Sequence, residues 1–343
     1  MNKNLSEITP VLSQYHIKPN HIEQYGKVLK IYSHTGSFAL KKIDAQHGMD
    51  FIRHVLTLYQ RGYNRIVPIY PTMDHRFAVL EGNSIYYLMP WLDNLEKEGR
   101  FDKHQELFRE LARLHFISVQ EMEVDQDVRK GFYEKTIEQW EKEQVFMEEY
   151  IEKCEHEWYM SPFQLLFCTF YQDTTQALKY AREKLEQWDE EAKKLKKVRT
   201  VMIHGKVSLE HFLYDQRGYG YFTNFEEARQ ASPIHDLLPF LSRALNTYPR
   251  RSEDCLGWLE TYFKYFPLKD DEMTLFKSYL AHPGAICRLV EEYFLNRNER
   301  KNELKYVRKL QHQYWQLKNT EYIIMKLEEK ERNTKNSVVE ELD

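Results

Sequence analysis

The sequence lacks the features of a secreted or membrane-spanning protein. Its four cysteines lie far apart and form no Cys-x-x-Cys pair, which is typical of the reducing cytoplasm. Residues 1–19 lack the apolar stretch that a secretory signal needs. No run approaches the roughly 18 consecutive apolar residues of a transmembrane helix. We therefore expect synthesis in the cytoplasm and no membrane span.

A large excess of charge of either sign is also missing. The 49 lysines and arginines are balanced by 53 aspartates and glutamates, giving a formal net charge of -4. The first two thirds of the chain contain no strongly basic stripe, whereas proteins that follow nucleic-acid phosphates normally carry one. The sequence therefore predicts no nucleic-acid partner.

Aromatic residues, by contrast, are abundant. The chain has 24 tyrosines, 19 phenylalanines and 6 tryptophans among 343 residues. Such side chains bury large apolar areas, and a chain of this length accommodates one large domain or two of ordinary size. The composition predicts a packed core and excludes an intrinsically disordered protein.

The first part of the chain mixes strand and helix signals. Residues 27–33 and 37–43 are short β-type runs joined by a hairpin signal, and residues 48–62 have the apolar spacing of a helix. Two further strand-like runs follow within residues 77–92. These patterns predict an N-terminal sheet lobe with one helix over residues 1–90.

Long helical patterns dominate the rest of the chain. Strand-like runs interrupt them only within residues 201–226, which predicts a helical lobe over 91–327 and a polar tail over 328–343. Residues 303–327 form one amphipathic helical pattern. Its apolar stripe either packs on its own domain or binds a partner, because periodicity alone cannot choose between the two.

One segment carries a pattern typical of phosphotransferases. Residues 204–228 read HGKVSLEHFLYDQRGYGYFTNFEEA, with His204-Gly205-Lys206, then His211, then Asn224-Phe225-Glu226. This resembles the catalytic segment of aminoglycoside and choline phosphotransferase-like kinases, which reads His-Gly-Asp, then Asn, then Asp-Phe or Asp-Trp. The resemblance implies structural roles for His204 and Gly205.

Other motifs of that fold follow in the same order. The segment FALK resembles the third-strand motif in which Lys41 reaches the nucleotide phosphates, and strand alternation puts Ala39 and Lys41 on one face. YYLMPWL resembles the hinge that holds adenine through its backbone at Met89, and PIHDLLPFL contains Asp236, with a structural role. The resemblance implies an α+β, two-lobe protein-kinase-like fold, with a small antiparallel sheet lobe and a larger helical lobe.

Two longer stretches resemble a narrower family. Residues 160–181 and 258–294 are similar to the CotS-like spore-coat proteins of endospore-forming bacilli. This resemblance implies a structural or scaffolding component of the endospore coat, with other spore coat proteins as partners. It also implies synthesis in the mother-cell cytoplasm and localisation in the coat.

The residues that would perform phosphotransfer are exchanged. Lys206 replaces the acid that accepts the substrate proton, His211 replaces an amide that holds metal, and Asn224 replaces the main magnesium carboxylate. A lysine ammonium has no lone pair to accept a proton, and magnesium prefers hard oxygen ligands. We therefore expect a catalytically degenerate pseudokinase with no active catalytic residue and no cofactor.

Two further elements of a kinase site are missing from the sequence. Residues 22–36 contain only two glycines, Gly26 and Gly36, so a glycine-rich loop that would hold the phosphates is missing. Residues 45–61 contain no glutamate to pair with Lys41. Both deficits favour loss of phosphotransfer.

Two alternatives remain open from the sequence. Glu226 or Glu227 is a weak candidate metal ligand, and with it the chain would be an active small-molecule kinase. Alternatively, Lys41 and Lys206 neutralise the phosphates of ATP in a nucleotide-binding pseudokinase that needs no magnesium. In the degenerate interpretation, Lys206 pairs with a phosphate or with Glu226.

Overall fold

A computed structural model of the chain describes residues 3–94, 100–295 and 302–340. The chain divides into two compact units. The first, here called the sheet unit, comprises residues 1–119 and 201–236, and the second, the helical unit, comprises 120–200 and 237–343. Residues 91–119 and 201–236 thus belong with the N-terminal part of the chain, whereas the predicted lobe boundary lies near residue 91.

Five antiparallel strands form the main sheet of the sheet unit, in the order β1-β2-β3-β5-β4. They are β1 His21–Tyr25, β2 Val28–Ser33, β3 Gly36–Asp44, β4 Val79–Glu81 and β5 Ser84–Pro90, and the unit's first helices are α1 Lys3–Ser13 and α2 Asp50–Gln60. The predicted β2–β3 hairpin is confirmed, with Ser33 opposite Gly36. The predicted helix is confirmed as α2, which ends just before Gly62, a glycine at φ +85°. The sequence did not predict α1 or β1.

The two faces of β3 pack against different clusters. Leu40 joins Val11 and Leu12 of α1 on one face, and Ala39 joins Phe51 of α2 on the other. The predicted alternation along β3 is therefore confirmed, and Lys41 lies on the Ala39 face.

The sheet unit also contains helix α3, Arg100–Ser118, and the predicted strand-bearing segment after residue 200. That segment holds the end of β7 Lys197–Ile203, β8 Phe212–Tyr214, β9 Gly220–Phe222, β10 Arg229–Ala231 and the start of α6 Ile234–Ala244. β8 and β9 form a hairpin, and β10 pairs with β7 over residues 201–203. Two short 3-10 helices, Leu209–His211 and Phe225–Glu227, complete it.

Long helices build the helical unit. They are α4 Gln126–Glu155, α5 Pro162–Ala192, α7 Glu253–Tyr265, α8 Asp270–Ala281, α9 Gly284–Leu295 and α10 Glu303–Glu340, with β6 Gln120–Glu123 paired to residues 197–200 of β7. Ser161 and Gln164 form a capping box at the start of α5. No helix within the described ranges is both long enough and apolar enough to cross a membrane.

Helix α10 resolves the choice left open for the amphipathic pattern. Tyr306, Leu310 and Leu317 are buried in one cluster with residues of α4, α5 and α9. The apolar stripe is therefore part of the unit's own core. The helix extends beyond Leu327 to Glu340, so residues 328–340, which we expected to be a tail, are helical.

Candidate functional site

Asp236 anchors the segment that resembles a catalytic loop. Its carboxylate accepts hydrogen bonds from the backbone N–H groups of His204, at 2.7 Å, and Gly205, at 2.8 Å. His115 Nε2 lies 3.1 Å from the same carboxylate, and both side chains are fully buried. Burial opposes ionisation of Asp236, but the hydrogen bonds outweigh it and lower its pKa. The carboxylate thus fixes the start of the loop.

The His204 ring extends this support. Its Nε2 donates to the Thr223 carbonyl at 2.7 Å, and the Lys206 backbone N–H donates to its Nδ1 at 3.2 Å. These two bonds assign the neutral Nε2–H tautomer. Burial is the main cause that lowers the pKa of His204, which agrees with a neutral ring. His204 therefore links the loop to the end of β9.

Gly205 leaves room for a close backbone approach. Its φ is +79°, in the left-handed region that glycine enters without steric cost. A Cβ at this position would collide with the backbone of Glu227. The loop and the 3-10 helix Phe225–Glu227 meet at this glycine.

Lys41 points at the Asn224-Phe225-Glu226 motif. Its Nζ lies 2.5 Å from Glu226 Oε1 and also donates to Asn224 Oδ1. The Tyr87 hydroxyl donates to the same Glu226 oxygen. The side chains of Lys41 and Glu226 are each only 10% exposed. The site therefore contains a buried ion pair with two polar neighbours.

This ion pair bears on two expectations from the sequence. Residues 45–61 contain no glutamate to pair with Lys41, and Glu226 supplies the partner from a distant segment instead. The degenerate interpretation pairs Lys206 with a phosphate or with Glu226. Lys41, directed by β3, takes the Glu226 carboxylate, and the pairing of Lys206 with a phosphate stays a prediction.

Burial and pairing act in opposite directions on the pKa of each partner of this ion pair. Burial raises the pKa of Glu226, but the Lys41 charge and the hydrogen bonds from Lys41 and Tyr87 together outweigh burial and lower it. Burial lowers the pKa of Lys41 more than Glu226 raises it. We assign a charged pair, because the Glu226 carboxylate receives donors from two side chains.

Lys206 stands apart from this network. It is exposed and makes no ion pair within the described part of the chain. Its carbonyl accepts a hydrogen bond from His211 Nδ1 at 2.8 Å. Burial, followed by the nearby charges of Lys41 and Lys206, lowers the pKa of His211 despite that bond. The His211 ring is thus turned towards the backbone of its own loop.

The arrangement does not fit a magnesium ion. Asn224 Oδ1 accepts from Lys41, and Glu226 accepts from both Lys41 and Tyr87. His211 offers nitrogen, whereas magnesium prefers hard oxygen ligands in octahedral geometry. Within residues 3–94, 100–295 and 302–340, no group of three or more His, Cys, Asp or Glu side chains is placed to hold a metal.

Met89 lies beside the same motif. It faces Ala39 across the β3–β5 pair, and the Thr223 hydroxyl donates to its Sδ at 3.7 Å.

The sheet unit contains all the positions named from the sequence: Lys41, Met89, His204, Gly205, Lys206, His211, Asn224, Glu226, Glu227 and Asp236. Tyr87 and His115 were missed, although Tyr87 stands two residues before Met89.

Comparison with known proteins shows likeness at the level of structure. No protein-family model matches the sequence, and no curated protein is significantly similar to it. An aminoglycoside phosphotransferase from Alicyclobacillus acidocaldarius superposes with a TM-score of 0.71 at 14% identity, covering 94% of this chain and 95% of that one.

Two further solved structures are similar at lower scores. A spectinomycin phosphotransferase in complex with ADP and spectinomycin gives a TM-score of 0.53 at 11% identity, covering 92% of this chain and 97% of that one. A microcompartment-associated aminopropanol kinase gives 0.52 at 13% identity, with coverage of 90% and 95%. The chain has the mixed α+β fold of the phosphotransferase and protein-kinase-like proteins.

Proposed function

We propose that this chain is a catalytically degenerate kinase-like protein that serves as a structural or scaffolding component of the bacterial endospore coat. The observation that best supports the loss of catalysis is the Lys41–Glu226 ion pair. Lys41 also donates to Asn224, and Tyr87 donates to Glu226. The ion pair uses the lysine and the acidic group that nucleotide phosphates and a metal ion would need.

The chemistry of the loop supports the same proposal. An enzyme of this fold depends on positioning, on metal neutralisation of the phosphates and on an oriented base. Lys206 cannot serve as that base while protonated, and loss of a general base alone costs roughly 10²- to 10⁴-fold in rate. Loss of the metal site adds to this penalty.

Each alternative has a form that requires the network to open. In one, a nucleotide-binding pseudokinase, Lys41 leaves Glu226 for a phosphate; in the other, an active small-molecule kinase, Glu226 accepts a metal. Separating two partners that are each 10% exposed leaves buried charge uncompensated. This cost favours the degenerate protein over these two forms.

The coat role is supported by the resemblance of residues 160–181 and 258–294 to the CotS-like family. Both stretches belong to the helical unit, whereas the residues that resemble a catalytic loop belong to the sheet unit. A scaffolding role carried by this unit would not depend on phosphotransfer.

A fluorescent fusion followed through sporulation tests the coat role. We expect the fusion to collect at the surface of the developing spore and to remain with the purified spore. A fusion confined to vegetative cytoplasm would contradict the proposal. The Lys206→Ala variant should localise like the unaltered fusion, because the role does not depend on the residue at the exposed position of the loop.

Thermal unfolding with ATP separates the three functions in vitro. We expect no shift in Tm with ATP, whether or not magnesium is added. A shift that requires magnesium would favour the active kinase, and a shift without magnesium would favour the nucleotide-binding pseudokinase.

A further inference from the structure

A basic groove runs along the helical unit between α9 and the first half of α10. Its volume is about 740 Å³. Five of the side chains that line it are basic or histidine, namely Arg288, Lys305, Arg308, Lys309 and His312, and one is acidic, Glu292. This concentration of positive charge contrasts with the net charge of -4 for the whole chain.

The positive charge lies on one face of α10. Lys305, Arg308, Lys309 and His312 follow at spacings of three and four residues, which places them on the same side of the helix. Within the described chain, Lys309 has a carboxylate partner, Glu292 at 3.7 Å, while Arg288, Lys305 and Arg308 make no ion pair. Neighbouring like charges at these spacings destabilise a helix.

The second half of α10 is arranged differently. Lys326 pairs with Glu329 at 2.8 Å, Lys318 pairs with Asp173 at 3.4 Å, and Lys330 pairs with Glu260. Among the described residues, these three lysines of the second half therefore have carboxylate partners, whereas Lys305 and Arg308 at the groove have none. An anionic partner would remove that imbalance.

The groove also offers hydrogen-bond acceptors. Gln313 Oε1 is buried and has no hydrogen-bond partner among the residues that the structure describes. Gln316 Nε2 already donates to the carbonyl and hydroxyl of Ser242, at 3.0 and 2.9 Å, so this side chain presents its oxygen. A buried acceptor without a donor is unfavourable unless a partner supplies one.

We propose that this groove binds an acidic polypeptide segment of another protein. Aspartate or glutamate side chains of the partner pair with Arg288, Lys305 and Arg308, and a partner backbone N–H donates to Gln313. A polyphosphate supplies negative charge but no N–H donor, so the acceptor favours a peptide. This inference does not depend on whether the sheet unit transfers phosphate.

Binding of a fluorescein-labelled Glu/Ala peptide to the full chain, measured by fluorescence anisotropy, tests the proposal. We expect saturable binding that weakens as salt is raised. The Lys305→Gln/Arg308→Gln variant should bind about threefold to tenfold more weakly, as expected for two partly exposed ion pairs. The matched Lys130→Gln/Lys179→Gln variant removes the same charge from α4 and α5 and should bind like the unaltered protein.

Gln313→Leu distinguishes a peptide groove from a simple anion-binding surface. It should weaken peptide binding severalfold and leave binding of inorganic polyphosphate unchanged, while the melting temperature stays the same or rises. Three results would overturn the proposal: no peptide binding by the unaltered protein, an equal loss in the Lys130→Gln/Lys179→Gln control, or polyphosphate binding tighter than peptide binding with no effect of Gln313→Leu.

Discussion

The segment 204–236 contains two sets of residues that differ in how the fold holds them. The supporting set, His204, Gly205 and Asp236, is connected by short hydrogen bonds in the interior of the sheet unit. The substituted set is held less uniformly: Lys206 is exposed, His211 is bonded to the backbone of its own loop, and Asn224 accepts from Lys41 of β3. The first set has the residue types of the phosphotransferase pattern, and the second departs from it.

The difference has a physical origin. Buried donors and acceptors must be satisfied for the chain to fold, so the supporting set is constrained whether or not chemistry occurs. Exposed Lys206 carries no such constraint. We therefore expect such a loop to keep its shape when the residues at its exposed positions are exchanged.

The largest expected effect comes from removing the anchor of the supporting set. Asp236→Ala leaves two backbone N–H groups and the His115 ring without their acceptor, and should lower the free energy of unfolding by about 4 kcal/mol. Urea denaturation measures this change. Glu210→Ala, an exposed acid in the same loop, should change stability by less than about 0.5 kcal/mol. Equal losses of stability in the two variants would contradict the claim that buried hydrogen bonds constrain the supporting set.

The buried ion pair should give the next largest effect. Lys41→Met leaves Glu226 buried without its counter-charge and should destabilise the protein by about 3 kcal/mol. The Lys41→Met/Glu226→Gln double variant should recover most of this loss, because both charges are then gone. A double-mutant cycle in urea measures the coupling, and additive effects would contradict the ion pair.

A pH dependence should follow from the histidines of the loop. The folded-state pKa of His211 is lowered, mainly by burial, so the unfolded chain takes up a proton at higher pH than the folded chain does. Stability is therefore lost as pH falls below about 6.5, the ordinary histidine pKa. His211→Asn should lose less free energy of unfolding than the unaltered protein as pH falls through this range.

The exposed His235 provides the control for that measurement. A His235→Asn variant should follow the unaltered protein as pH is lowered. If His211→Asn and His235→Asn behave alike, burial of His211 does not contribute to the acid sensitivity.

The smallest effect is expected at Lys206. Lys206→Asp restores the residue type of the phosphotransferase pattern at an exposed position, and should change stability by less than about 0.5 kcal/mol. It should not create activity, because His211 and Asn224 still do not supply the ligands that a magnesium ion needs. A gain of turnover from this one change would mean that the rest of the site is intact.

How much the sequence predicted depends on the range of the interaction. The β2–β3 hairpin, α2 and the face of β3 that carries Lys41 were predicted because they follow from local turn signals and alternation. Strand β1 was missed because its residues are partly or fully exposed and lack an apolar alternation. The Lys41–Glu226 pair joins residues far apart in the chain, and periodicity carries no information about such contacts.

Turnover of ATP by the purified protein tests the proposed loss of phosphotransfer most directly. The assay uses magnesium or manganese with a panel of hydroxyl and amino acceptors, and a Lys206→Ala variant serves as the control. We predict no phosphotransfer above background in either protein. Turnover by the unaltered protein that disappears in Lys206→Ala would contradict the account, and would assign Lys206 a direct role in the chemistry.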